Sequence, residues 1–281
     1  MRWWVLVLVW WGIAVEAQPL RVLVTIAPLY EFTTVVAGKQ AEVQLLVAPG
    51  TEVHDYQARP RDVDKIKQAQ LLIQNGLGLE AFLEPLLRNG NPGLRRVDTS
   101  RGVSLLPEEA DPDHPNPHIW LDPHRAQQQV RNIRDGLSAA DPSHRGEYWA
   151  NAQGLLQQLV ALDVRYQRVL TPLKRRQFVA LHNGFAYLAQ RYQLQQTVIQ
   201  PVTGALLSPR NVQATIVAVR RYQVSMMLST PGLDSRILQV LQEDLGLTIA
   251  TLDTLETDSP YPGQYVTVME RNLAVLKRAL T

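Results

Sequence analysis

Hydrophobic and polar positions alternate along the first half of the chain in two different periods. Residues 20–26 form a β-branched apolar run, residues 28–37 carry apolar positions at helical spacing, and residues 43–48 are apolar again before Pro49-Gly50. This predicts a strand, a helix and a strand. The rhythm continues with a polar helix over 60–69, an apolar strand at 71–73, a helix over 80–88 and a short strand at 96–98. Strands alternating with helices in this way predict a parallel sheet covered on both faces. Residues 107–117 interrupt the pattern with Glu108, Glu109, Asp111, Asp113 and His114 among prolines, the composition of a solvated acidic loop. Helical spacing returns over 124–139, pauses at Asp141-Pro142, and runs over 144–170 without an internal proline. A helix of that length reaches about 40 Å, enough to join two lobes.

The second half repeats the first in kind. Strands are expected at 178–181, 197–199, 224–228 and 248–252, and helices at 185–191, 209–221, 233–245 and 265–280. The expected fold is α/β: two α/β lobes with parallel sheets, joined by a single long helix, with any ligand in the cleft between them. The corresponding boundaries are a signal peptide at 1–17, an N-terminal lobe at 18–142, a linking helix at 143–172 and a C-terminal lobe at 173–281.

The first residues bear on compartment. Met1-Arg2 is a short positive start, residues 3–15 are apolar, and Val15-Glu16-Ala17 offers small residues for cleavage, so a secretory signal is expected. The apolar run is shorter than the roughly 20 residues that span a bilayer. The expectation is an exported protein of a bacterial periplasm without an anchor of its own.

Composition narrows the chemistry further. Among 281 residues there are 28 Lys+Arg and 26 Asp+Glu, a net charge of +2 that gives no footprint for nucleic acid. The absence of cysteine removes disulfides, thiolate metal sites, a cysteine nucleophile and a lipid-modified N-terminal cysteine. Any metal is therefore left to histidine and carboxylate. The chain has no phosphate-binding or dinucleotide-binding glycine motif, no G-x-S-x-G elbow and no H-E-x-x-H. No enzyme signature is present, and a non-enzyme is expected.

Three of the six histidines fall where a strand gives way to a loop: His54 after the second strand, His118 at the end of the acidic loop, and His182 directly after residues 178–181. Asp253 holds the same kind of position after residues 248–252. Ligands gather at the carboxyl ends of strands in α/β sheets. One such His is ordinarily a hydrogen-bonded structural residue, and one such Asp a cap or turn former; four of them spread over both lobes suggest a site. Three neutral imidazoles and one carboxylate satisfy tetrahedral Zn2+ with no position left for solvent. His114 reads as solvated, and His124 and His144 as residues at helix starts. Tyr30, Phe32, Trp120 and Tyr187 read as core or cleft lining.

With these residues in place, three segments fall in a telling order: Pro49-Gly50-Thr51-Glu52-Val53-His54-Asp55-Tyr56, Asn75-Gly76-Leu77-Gly78-Leu79-Glu80, and Pro117-His118-Ile119-Trp120-Leu121-Asp122-Pro123. Phe178-Val179-Ala180-Leu181-His182-Asn183-Gly184-Phe185 follows them. From about Arg21 to the C-terminus the chain resembles the periplasmic metal-binding proteins of bacterial ABC importers, the zinc- and manganese-binding cluster A-I family. The resemblance implies two lobes on a stiff backbone helix and a metal held between them by His54, His118, His182 and Asp253. It further implies a monomer that delivers its ion to an inner-membrane ABC permease with a cytoplasmic ATPase. Relatives that look like manganese binders offer a carboxylate at the position of His182, so the histidine favours Zn2+ over Mn2+ or Fe2+ as the transported ion. Two features depart from many zinc members: the acidic loop is short, with one histidine, and Asp253 stands in Leu252-Asp253-Thr254-Leu255 without the usual neighbouring proline. A manganese or iron carrier of the same class, a zinc-dependent periplasmic hydrolase with Glu52 or Asp253 as base, and a surface adhesin whose metal is only structural are the alternatives.

Overall fold

The computed structural model describes residues 18–48, 51, 53–54, 56–107, 114–180, 183–198, 216–217, 219–221, 226–229, 242–243, 246, 248–256 and 264–281. The N-terminal sheet contains β1 (Leu20–Val24), β2 (Ala41–Leu45), β3 (Leu71–Gln74) and β4 (Arg95–Asp98), all parallel in the order β2-β1-β3-β4. The register is fixed by pairs such as Val22 with Val43 and with Leu71. Side chains alternate across the sheet as a strand's period of two requires. Val22, Val24, Leu71 and Ile73 join one core with α1 (Ala27–Ala37), α4 (Pro123–Ala140) and α5 (Arg145–Leu170). Leu23 and Leu72 face the other way, against Ile66 of α2 (Pro60–Gln68) and Leu83 and Leu87 of α3 (Leu83–Gly90).

The second sheet repeats the plan with β5 (Gln177–Ala180), β6 (Gln195–Val198), β7 (Met226–Ser229) and β8 (Thr248–Thr251), parallel in the order β6-β5-β7-β8. The short α6 (Ala186–Arg191) follows β5, and α7 (Gln264–Leu280) closes the described chain. Both sheets thus have a strand order that reverses beside their first strand, the place where α/β sheets open a crevice at their carboxyl ends. The 26 residues of α5 extend about 39 Å. Leu155, Leu159, Leu162, Tyr166 and Leu170 of this helix belong to the same core as Phe178 and the α7 residues Tyr265, Met269 and Leu276. A continuous apolar core therefore runs through the helix from one lobe into the other.

The fold class expected from the sequence is the one observed. The third helix begins at Leu83 rather than near residue 80, for a local reason. The Glu80 carboxylate folds back to accept hydrogen bonds from the backbone N–H groups of Asn75 (2.7 Å) and Gly76 (3.0 Å). Residues 76–82 are consequently spent on tight turns, with positive φ at Gly76, Leu77 and Gly78. A Cβ on Gly76 would lie 2.3 Å from Asp98 Oδ1, so this position requires glycine. The helices expected over 209–221 and 233–245 fall largely outside the described residues, where only 216–217, 219–221 and 242–243 are seen as helical. The signal segment at 1–17 and residues 108–113 of the acidic loop also lie outside them; an isolated bridge between Pro107 and Pro115 closes the ends of that loop.

Candidate metal centre

The segment carrying His54 is anchored just downstream. Tyr56 is buried, its ring lies 4.9 Å from that of Phe82, and its hydroxyl donates to Asp62 Oδ2 at 2.7 Å. The same carboxylate oxygen accepts from Arg59 N at 2.7 Å, tying the segment to the start of α2. Burial, together with the bond to Asp62, pushes the Tyr56 hydroxyl up to about 12, so the bond stays a donation from a neutral phenol.

His118 is positioned by the residues on either side of it. Asn116 Oδ1 accepts from His118 N at 3.0 Å and lies 3.0 Å from His118 Nδ1. Beyond the histidine, Ile119–Leu121 make one tight turn with all three side chains buried. Asp122 then caps α4 by accepting from His124 N at 2.9 Å, and Pro123 takes the first helical position, where its missing N–H costs nothing. From behind, Asn75 Nδ2 donates to Pro117 O at 3.0 Å, so the Asn75 to Glu80 turn and the histidine segment are one hydrogen-bonded unit.

The third group comes from the loop after β8. Asn272 of α7 grips Asp253 by its backbone, accepting from its N–H (2.9 Å) and donating to its carbonyl (2.8 Å). Trp120 Nε1 donates across the cleft to Thr254 O at 2.9 Å. Leu255 takes φ +64, and this turn brings Glu256 round so that its side chain is 2% exposed beside the two histidines.

His54, His118 and Glu256 converge. The two Nε2 atoms are 3.1 Å apart, and Glu256 Oε1 is 3.8 Å from the first and 3.9 Å from the second. A point equidistant from three atoms so placed lies about 2.1 Å from each, the bond length Zn2+ makes to imidazole nitrogen and carboxylate oxygen. Among the described residues this is the one group of His and carboxylate side chains arranged to hold a metal ion. The His118 side chain is 3% exposed and that of His54 23%, so the approach from solvent is past His54.

Of the four residues expected to ligate, the structure brings His54 and His118 together. His182 lies outside the described residues, which resume at Asn183. Asp253 is not in the group: its Oδ1 accepts from Leu255 N at 2.7 Å, so its carboxylate shapes the turn that delivers Glu256. Glu256 was missed because the sequence reading took the first acidic residue after the strand. The signal that could have found it is the general habit of Asp at strand ends to fold onto the backbone two residues on. His144 Nδ1 lies 2.6 Å from Asp141 Oδ2 at the start of α5, and Phe32, Trp120 and Tyr187 are fully buried, as core or cleft lining should be.

The chain as a whole is similar to known proteins. The zinc-binding lipoprotein AdcA of Streptococcus pneumoniae is 31% identical over 277 residues, covering 92% of this chain and 55% of the relative. The chain thus spans about half the length of the curated relatives of this kind that it matches. The high-affinity zinc uptake system protein ZnuA of Bacillus subtilis is 27% identical over 287 residues, covering 94% of this chain and 89% of that protein. The crystal structure of the Zn(II)-bound ZnuA-like domain of S. pneumoniae AdcA superposes with a TM-score of 0.82 at 29% identity, covering 93% of this chain and 99% of the domain. The family described as ZnuA, zinc-uptake complex component A, periplasmic, matches residues 22–279, and the chain belongs to that family.

Proposed function

We propose that this protein captures Zn2+ outside the cytoplasm and delivers it to an inner-membrane ABC permease powered by a cytoplasmic ATPase. In this reading it works as a monomer in the periplasm, reached by cleavage of residues 1–17, and neither makes nor breaks a bond of its cargo. The metal is held by His54 and His118 from the N-terminal lobe and by His182 and Glu256 from the C-terminal lobe. Glu256 takes the place that sequence reasoning gave to Asp253.

The observation that carries the reading is the triangle of His54 Nε2, His118 Nε2 and Glu256 Oε1, whose centre is one zinc bond length from every corner. Membership of the zinc-uptake family and the zinc named in the relatives' descriptions support the choice of ion. Ligand chemistry points the same way, because a site dominated by imidazole suits Zn2+ and one richer in carboxylate suits Mn2+. The test is competitive titration of the metal-free protein with Zn2+ and Mn2+, alongside His54→Ala and His182→Ala. One tight Zn2+ site per chain, Mn2+ bound far more weakly, and loss of the site in both variants are expected. Preference for Mn2+, or indifference to either histidine, would overturn the assignment.

A further inference from the structure

Asn116 touches His118 and, in the other lobe, Asn183, and the polarity of its amide can be read from these neighbours. Its Oδ1 faces the backbone N–H of His118 at 3.0 Å, and a backbone N–H can only donate. Its Nδ2 faces the backbone carbonyl of Asn183 at 3.0 Å, and a carbonyl can only accept. Two groups of fixed polarity therefore leave a single orientation for this amide, which is fully buried. The consequence reaches the histidine ring. His118 Nδ1 lies 3.0 Å from the same Oδ1, an atom with no hydrogen to give, so in the neutral ring Nδ1 carries the proton and Nε2 keeps its lone pair. Nε2 is the atom that faces His54 and Glu256.

The other end of Asn116 is held as firmly. Its backbone carbonyl accepts from Tyr187 Oη at 2.7 Å, and Asn183 is the residue that follows His182 in the chain. The amide thus spans the cleft, from the ring of one proposed ligand to the main chain adjoining another. We infer that Asn116 is the positioning residue of the centre, selecting the metal-ready tautomer of His118 while tying its segment to Asn183 of the other lobe. This rests on the reading of His118 as a ligand, so the test carries a control for that reading.

The first experiment uses the wild-type protein: nitrogen-15 correlation spectra of the histidine rings in the metal-free state report which nitrogen of His118 is protonated. The Nδ1–H form is expected, and an Nε2–H form would overturn the inference. The second compares Asn116→Ala, Asn116→Asp and His118→Ala by chelator-competition titration with Zn2+ and by the visible spectrum of the Co2+ form. Outer-shell partners of metal-bound imidazoles are worth about 10- to 100-fold in affinity. Asn116→Ala is therefore expected to weaken Zn2+ by that factor and to alter the Co2+ bands. Asn116→Asp keeps an acceptor for both His118 N–H groups but loses the donor to Asn183 O. It is expected to restore Zn2+ affinity to within about fivefold of wild type while lowering the melting temperature of the metal-free protein. If His118→Ala binds as wild type does, the site reading itself fails. If His118→Ala abolishes binding but Asn116→Ala stays within threefold of wild type, or Asp weakens it as much as Ala, the role of Asn116 alone is refuted.

Discussion

Two carboxylates three residues apart offer the sharpest test of the site, because the proposed centre gives them opposite jobs. In Glu256→Ala the centre loses a proposed ligand atom that sits 3.8 and 3.9 Å from the two imidazole nitrogens. Four protein ligands together hold zinc in small domains with about 10–16 kcal/mol, so an equal share is about 3 kcal/mol, or a hundredfold in Kd. Water entering the vacated position returns part of that, and a loss of about 30- to 100-fold is expected. In Asp253→Ala the proposed ligand set is untouched and the bond from Leu255 N is lost. That bond is worth about 1 kcal/mol. A lower melting temperature is expected, with a change in Zn2+ affinity of less than about tenfold. Chelator competition and thermal melting of the two metal-free variants decide the matter. A larger affinity loss in Asp253→Ala, with Glu256→Ala close to wild type, would refute the assignment.

Three further outcomes follow from the frame around the site. Burial pushes the Glu80 carboxyl up to about 7 against the pull of its three hydrogen-bond donors, Thr25 Oγ1 and the N–H groups of Asn75 and Gly76. The folded state then binds this proton more tightly than the unfolded chain, so stability falls as pH rises from about 4.5 to 7, by up to about 3 kcal/mol. Urea midpoints at pH 5, 6 and 7 should fall more steeply for wild type than for Glu80→Gln, and parallel lines would sink the claim. Trp120→Phe keeps the ring but removes the donor to Thr254 O, leaving a buried carbonyl unpaired at a cost of about 1–3 kcal/mol. Denaturant titration should show that loss, and zinc competition a weaker site. Gly136→Ala puts a methyl 2.3 Å from Val97 Cγ2, where α4 crosses β4. Strain of about 1–3 kcal/mol outweighs the helix propensity gained, so the melting temperature should fall with zinc affinity unchanged; a rise would show that Val97 moves aside freely.

The two-lobe plan was legible in the sequence because each sheet is built from consecutive strand and helix units whose periods differ, and because nothing interrupts residues 144–170. His54 and His118 were legible for a related reason: strand ends are where this architecture exposes side chains to a ligand. Glu256 was not, since its place depends on what Asp253, Leu255 and Asn272 do to the backbone. The start of α3 was misread on similar grounds. Periodicity assigns Glu80 to the helix, whereas its carboxylate serves backbone N–H groups four and five residues earlier. In both places a polar side chain bonds the main chain near it, and hydrophobic patterning carries no record of such bonds.

These side-chain to main-chain bonds also determine how much the protein has to do when an ion arrives. The N-terminal lobe is tied to the C-terminal one by Trp120 on Thr254 O, by Asn116 on Asn183 O, and by Tyr187 on Asn116 O. From the other side Tyr265 Oη donates to Trp120 O at 2.6 Å, and Tyr265 N at the start of α7 donates to the Glu31 carboxylate of α1. Most of these bonds are buried, and they run alongside a core that is continuous through α5. Opening the cleft widely would break several of them at once, at about 0.5–1.5 kcal/mol net for each bond given up to water. Loading is therefore expected to be local. His118 is fixed by its neighbours, and the 3.8 and 3.9 Å separations at Glu256 lie within about half an ångström of the edge of a tetrahedral zinc site. His54, with the most exposed side chain of the three, stands at the entrance. Side chains held in place by such bonds spend little free energy on ordering when they bind, so more of the interaction is left as affinity.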